Sequence, residues 1–223
     1  VAAYLASRDE FGNPELARET LRKIANREGI GDTLAEGVHR AHEEIGVDDY
    51  TVKGLEFAAH DGRVLHGQGL SYAVANRGAD HMYGGMLGIE YSGELDPEGT
   101  LGKAERLVTE ENRNVIRDSA VVCAFGGDYI TDDRLATLLD TEYERLQEVG
   151  HRVVTLERHF NNRRGMDAAD DDLPYEIPDL DAAIREYYEA RGWREDGTVP
   201  DDQIDPVPAA AGAGGGDAAP ADD

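Results

Sequence analysis

A single cysteine, Cys123, closes a short apolar run that opens on a carboxylate: Asp118-Ser119-Ala120-Val121-Val122-Cys123. The spacing brackets about one turn of backbone, so a carboxylate and a thiolate can face the same ligand with main-chain groups between them. A thiolate is a metal ligand, but one thiolate cannot hold a structural zinc or an iron–sulfur cluster, each of which takes about four protein ligands. If Cys123 ligates a metal, the other ligands lie on protein outside this chain. Taken alone, the hexapeptide also arises by chance, and a lone thiol is ordinarily a small hydrophobe.

Seven histidines add further chemistry: His39, His42, His60, His66, His81, His151 and His159. His39 and His42 are three apart on one helix face and could hold a metal. No acidic ligand completes a known spacing, so an exposed polar face is the plainer reading. His151 and His159 read as surface positions on a long helix. His81 differs because it ends Asn76-Arg77-Gly78-Ala79-Asp80-His81 in a glycine-rich stretch. An imidazole there can donate to a bound substrate, or take its proton, near neutral pH. Composition alone favours a loop histidine with no role. Asp170-Asp171-Asp172 could suggest a cation site, but in so acidic a chain a solvated loop is much the better reading.

The elements that must position these residues are mostly helical. Pro14 stands near a helix start, with Leu16, Leu21 and Ile24 on one face before Gly29. Asp32-Thr33 cap a second helix carrying Leu34, Val38, Ala41 and Ile45, which stops at Gly46. Residues 50–72 read as more extended, with Val52, Leu55, Phe57, Val64 and Leu65 as candidate buried positions. Glycine is too frequent over residues 67–102 for one regular element, which predicts winding loop between short helices. A polar helix over 109–117 leads into the cysteine segment, and Gly126-Gly127 follow it. Beyond it, Leu135, Leu138, Leu139, Tyr143, Leu146, Val149, Val153, Leu156 and Phe160 recur at helical spacing. Thr141 with Glu144 is a capping-box pattern that divides the run into a short helix and a long one. A last helix over 180–191 ends at Gly192.

The expected class is therefore all-α and multi-helical, with one irregular, glycine-rich region where a large ligand can approach the backbone. Residues 1–60 read as the end of a helical middle domain and 61–194 as a C-terminal helical domain. Residues 195–223, rich in Pro, Ala, Gly and Asp, read as a disordered acidic tail. The chain opens at Val1 with a helical segment already under way, which suggests a fragment or one half of a divided protein.

The charge balance is extreme, with 47 acidic against 22 basic residues and a net charge of −25. Only three of the basic residues are lysines, namely Lys23, Lys53 and Lys103. A carboxylate-rich, lysine-poor surface suits a protein facing molar salt, where repulsion is screened within about 3 Å. A halophilic source follows, against the alternative of an ordinary acidic cytosolic protein. Such a charge argues against nucleic acid, which needs clustered Lys and Arg. No apolar stretch approaches a membrane span of about 20 residues. A single cysteine excludes an intrachain disulfide framework, and a cytoplasmic setting fits best.

With these positions in view, residues 18–197 resemble the C-terminal part of the aldehyde ferredoxin oxidoreductase family, the tungsten- or molybdenum-pterin enzymes. Ile24-Ala25-Asn26-Arg27-Glu28-Gly29-Ile30-Gly31-Asp32 with Leu34-Ala35-Glu36-Gly37 is similar to its helix–turn–helix. Gly69-Leu70-Ser71-Tyr72-Ala73 followed by Asn76 to His81 looks like its glycine-rich stretch. Leu156-Glu157-Arg158-His159-Phe160-Asn161-Asn162-Arg163, Asp172-Leu173-Pro174, Tyr187-Tyr188 and Arg191-Gly192-Trp193 match its C-terminal helices in order. Asp118 to Cys123 aligns with its pterin-binding signature, D-x-x-G-L-C. Val121 stands where the family has glycine and Val122 where it has leucine. A β-branched residue in place of glycine bears on the local backbone geometry.

The resemblance implies that Asp118 and the backbone around Val122 hydrogen-bond a pterin, that Cys123 is the fourth ligand of a [4Fe–4S] cluster, and that His81 is the active-site histidine. It implies oxidation of a small aldehyde to a carboxylic acid, with electrons passing through the cluster to ferredoxin. The family's other aspartate motif, catalytic glutamate and C-x-x-C-x-x-x-C triplet precede this segment, so the partner is the missing N-terminal domain or a subunit carrying it. A homo-oligomer is compatible with all of this. The rival reading is a non-catalytic helical binding or scaffold remnant without the cofactor.

Overall fold

A computed structural model describes residues 2–204 apart from residues 7, 9, 127 and 128. The first part of the chain is a run of short helices: α1 (Ala2–Ala6), α2 (Pro14–Asn26), α3 (Ile30–Leu34) and α4 (Val38–Ile45). Asn13 starts α2 by accepting from the Leu16 N–H, with Pro14 in the first turn. It ends two residues before Gly29, at Arg27, whose φ of 52° is left-handed. The second helix expected from Asp32 onward is broken in two by Gly37, whose φ of 88° no helix tolerates.

Residues 51–56 form a two-stranded antiparallel hairpin, β1 (Thr51–Val52) and β2 (Leu55–Glu56), with Thr51 opposite Glu56. Lys53 and Gly54 take the positive φ of a two-residue hairpin turn. The extended stretch stops sooner than expected, because α5 (His66–Val74) is already helical at His66. Val52 is buried, whereas Leu55 and Val64 are exposed. Two further short helices, α6 (His81–Gly84) and α7 (Met86–Tyr91), punctuate the glycine-rich stretch as expected.

The remaining helices are α8 (Ala104–Ser119), α9 (Asp132–Leu138), α10 (Tyr143–Arg163) and α11 (Leu180–Arg191). The long periodic run does divide into a short and a long helix, and α11 stops at the left-handed Gly192. Among the described residues the architecture is thus helical apart from the one small hairpin. Helix α8 packs on α6, α10 and α11. Gly150 of α10 lies so close to α8 that an added Cβ would sit 2.4 Å from the Asn112 carbonyl oxygen. The main core is built from Leu70, Tyr83, Leu107, Val115, Val154 and Tyr187 among others, all buried. A second cluster of Ile116, Leu135, Ala136 and Leu146 lies under the loop that follows α8, with Val122 packed against it.

Buried charge ties distant segments together. Asp171 pairs with Lys53 at 2.7 Å and accepts from Arg158 at 3.0 Å and from the Tyr188 hydroxyl. The middle residue of the acidic triplet is therefore an internal anchor and not a solvated loop residue. Glu90 holds Lys103 at 2.6 Å and the N–H groups of Gly67 and Gln68 at the start of α5. Two corrections follow from the packing. His151 is half-buried beside Arg191, and burial followed by that positive charge pushes its imidazole below the ordinary range. Residues 196–204, placed in a disordered tail by composition, are packed on the body. Val199 is buried, Arg158 donates to the Gly197 carbonyl at 2.7 Å, and Gln203 donates to the Gly192 carbonyl at 2.9 Å. The rest of the expected tail, like Gly127, lies outside the described residues.

Candidate functional site

The cysteine segment is shaped by how α8 ends. Ala120 caps the helix and Val121 takes a left-handed φ of 58°. The Val121 N–H donates to the Asp118 carbonyl at 3.0 Å and the Val122 N–H to the Arg117 carbonyl at 2.9 Å. This pair of bonds is a Schellman motif, whose left-handed position is normally glycine. The backbone therefore keeps a glycine's conformation although valine occupies it. Reversing the chain there seats Val122 on the second hydrophobic cluster and leaves Cys123 exposed as a free thiol. A short 3-10 turn, Ala124–Gly126, follows, closed by the Gly126 N–H on the Cys123 carbonyl at 2.8 Å.

Two arginines of α8 hold the far side of this loop. Arg113 and Arg117 both reach Asp132 at the start of α9, each at 2.9 Å. Burial of Asp132 works against ionisation, but the hydrogen bonds from both arginines outweigh it and hold the carboxyl below its ordinary range.

His81 arrives from the opposite side. Gly78 turns the chain at a φ of 95°, where a side chain would strike the Val52 carbonyl at 2.3 Å. Asp80 then caps α6 by accepting from the Met82 N–H at 2.8 Å. Arg77 pairs with Asp80 at 3.0 Å and reaches Asp118 at 3.8 Å, bridging the two motifs. Between them lies a cavity of about 220 Å³ lined by His81, Met82, Asn114, Arg117, Asp118 and Val122. The structure thus brings together three of the four residues singled out by sequence, while the fourth, Cys123, sits one position beyond on the exposed loop.

Asn114 and Arg117 went unnoticed in the sequence. The signal was present, because both lie within one turn before Asp118 on a helix already expected over 109–117. His39 and His42 lie apart from this cavity. His39 is bound to Asp49 at 2.7 Å, and the two rings stack with centroids 6.4 Å apart. Among the described residues no three His, Cys, Asp or Glu side chains gather as a metal site. A larger cavity, about 660 Å³ beside the start of α11, is lined by Asp172, Tyr175, Asp179 and Arg185 and contains none of His81, Asp118, Val122 and Cys123.

The helical body thus presents a carboxylate and an imidazole at one cavity, with an exposed thiol on the adjoining loop. The family described as aldehyde ferredoxin oxidoreductase, domains 2 and 3, matches over residues 5–205, and the chain belongs to that family. The tungsten-containing aldehyde ferredoxin oxidoreductase of Pyrococcus furiosus is 36% identical over 222 residues, covering 87% of this chain and 37% of that protein. The enzyme of the same description from Thermococcus kodakarensis is 33% identical over 217 residues, covering 85% of this chain and 36% of its own length. An aliphatic sulfonate oxidoreductase, WOR-like subunit, of Pyrococcus furiosus is 30% identical over 232 residues, covering 87% of this chain and 34% of that protein. The chain therefore spans little more than a third of the length of the curated relatives it matches. Among solved structures, the BamBC active-site complex of benzoyl coenzyme A reductase, in complex with 1,5-dienoyl-CoA, shares the fold. Its TM-score is 0.59 at 21% identity, covering 82% of this chain and 37% of that one.

Proposed function

We propose that this chain is the C-terminal, cofactor-side part of an aldehyde:ferredoxin oxidoreductase that converts aldehydes to carboxylic acids. One aldehyde and one water yield one acid, two electrons and two protons, so the site must handle protons as well as electrons. The observation that carries the reading is the cavity in which His81, Asp118 and Val122 meet, with the Cys123 thiol exposed immediately beyond.

The residues present suit one side of a pterin. Asp118 is well exposed and, among the described residues, its carboxylate has only the 3.8 Å approach of Arg77. Arg117, in the same wall, keeps a buried Nε without a hydrogen-bond partner among the described residues. When bound, a tungsten or molybdenum bis-pyranopterin would supply the two-electron chemistry, with a [4Fe–4S] cluster handing the electrons on singly to ferredoxin. Asp118 would anchor the pterin by accepting from its ring N–H groups. The Val122 N–H is spent on the helix cap, which leaves that residue's carbonyl for the ligand. His81 would donate to the substrate carbonyl or take up a proton beside it. Cys123 offers one cluster corner, and the remaining thiolates would come from a preceding domain or a separate subunit of the same enzyme. The acidic, lysine-poor composition further supports a halophilic source, and the single cysteine a cytoplasmic setting.

Replacing Cys123 tests the reading directly. In the enzyme assembled from this chain and its missing part, Cys123→Ser should lower iron content and alter the cluster's EPR signal. Iron and signal equal to wild type would refute the ligand role.

A further inference from the structure

We infer that His60 is a positioning residue for His81, its imidazole fixing the orientation in which the His81 ring meets the cavity. The functional weight of this inference rests on the reading of His81 as the proton-handling group; the geometry does not. The two rings lie in contact, with centroids 4.9 Å apart and planes at 60°. Among the described residues no hydrogen bond holds the His81 ring, and His60 is the aromatic ring it meets.

His60 can act as a stop because its own backbone is fixed from behind. The Tyr72 hydroxyl donates to the His60 carbonyl at 3.0 Å. Tyr72 is wholly buried on α5, and Phe57 meets its ring edge-on at 5.0 Å. Two residues on, Gly62 presses against α5 so closely that a Cβ there would lie 2.7 Å from the Gly69 Cα. On the other side, His81 opens α6, which Asp80 caps. Both main chains are therefore held, and only the ring torsions remain to be decided. The carboxylates adjoining the two histidines are already engaged: Asp61 with Arg63 at 2.6 Å and Asp80 with Arg77 at 3.0 Å. Neither is left to orient the imidazole. That task falls to a ring that limits rotation by contact, and precise orientation is what proton transfer to a bound substrate requires.

The test reads the His81 side chain itself. In the whole chain, the NMR couplings that report the His81 side-chain torsion should show one rotamer. His60→Ala should produce rotamer averaging at His81 while His39, His42 and His159 stay unchanged, and His60→Phe, which keeps a ring, should restore a single rotamer. If His60→Ala fails to fold, His60→Asn reads the same couplings. A single His81 rotamer in the ring-less variant overturns the inference, even where the melting temperature falls. In the assembled enzyme His60→Ala should lower kcat by up to about 100-fold with KM nearly constant. Failure of the acid–base reading is seen separately, as unchanged turnover on His81→Gln.

Discussion

Val121 carries the most instructive contradiction between residue type and backbone. A β-branched side chain in the left-handed region costs roughly 1–2 kcal/mol, because Cβ crowds the following carbonyl. The side chain is 91% exposed, so nothing is gained from packing. The cap's two hydrogen bonds and the seating of Val122 on the hydrophobic cluster hold the conformation regardless. Val121→Gly should relieve the strain at the expense of about 0.5–1 kcal/mol of chain entropy. The balance is a net stabilisation of up to about 1 kcal/mol, readable as a higher urea midpoint with unchanged slope. A lower midpoint would mean that the strain relieved is smaller than the chain entropy lost.

At the scale of elements, the loop carrying Cys123 depends on the clamp between α8 and α9. Arg113 and Arg117 grip Asp132, and beneath them Ile116, Leu135 and Leu146 exclude water. The Asp132 carboxyl titrates below its ordinary value of 3.8 in the folded state. A depressed carboxyl contributes stability that is complete above the unfolded value and is lost as pH falls through the folded one. Wild type should therefore melt above Asp132→Asn at neutral pH, with the difference closing below about pH 4. Melting curves of the pair from pH 7 to 3 check this, and a difference that persisted into acid would place the stabilisation elsewhere. The clamp was invisible in sequence, since Arg113 and Asp132 lie 19 residues apart with no periodicity connecting them.

For the whole molecule, charge is the governing quantity. Two of the three lysines, Lys53 and Lys103, are buried in ion pairs, which leaves Lys23 as the lysine nearest solvent. The outer surface is thus carboxylate with arginine, and its repulsion is long-ranged at low ionic strength. The Debye length falls from about 10 Å at 0.1 M to about 3 Å at 1 M. Raising KCl from about 0.1 M to 2 M should raise the melting temperature by several degrees, roughly 2–4 °C per kcal/mol for a chain of this size. A flat or falling profile would show that self-repulsion does not limit stability. The buried pairs, shielded from salt, should be indifferent to the change.

Helices and their ends were legible because they rest on local chemistry: Pro14 at a helix start, the stop at Gly192, and the spacing of apolar residues along α10. The candidate residues were legible because type and order along the chain are local properties too, and a shared family pattern supplied the roles proposed for them. Tertiary structure alone decided the rest. It placed His81 across a cavity from Asp118, made Asp171 an internal anchor, ordered residues 196–204 and set His60 against His81. Those outcomes depend on contacts between residues far apart in the chain, where burial and close packing outweigh composition, and no short window of sequence contains both partners.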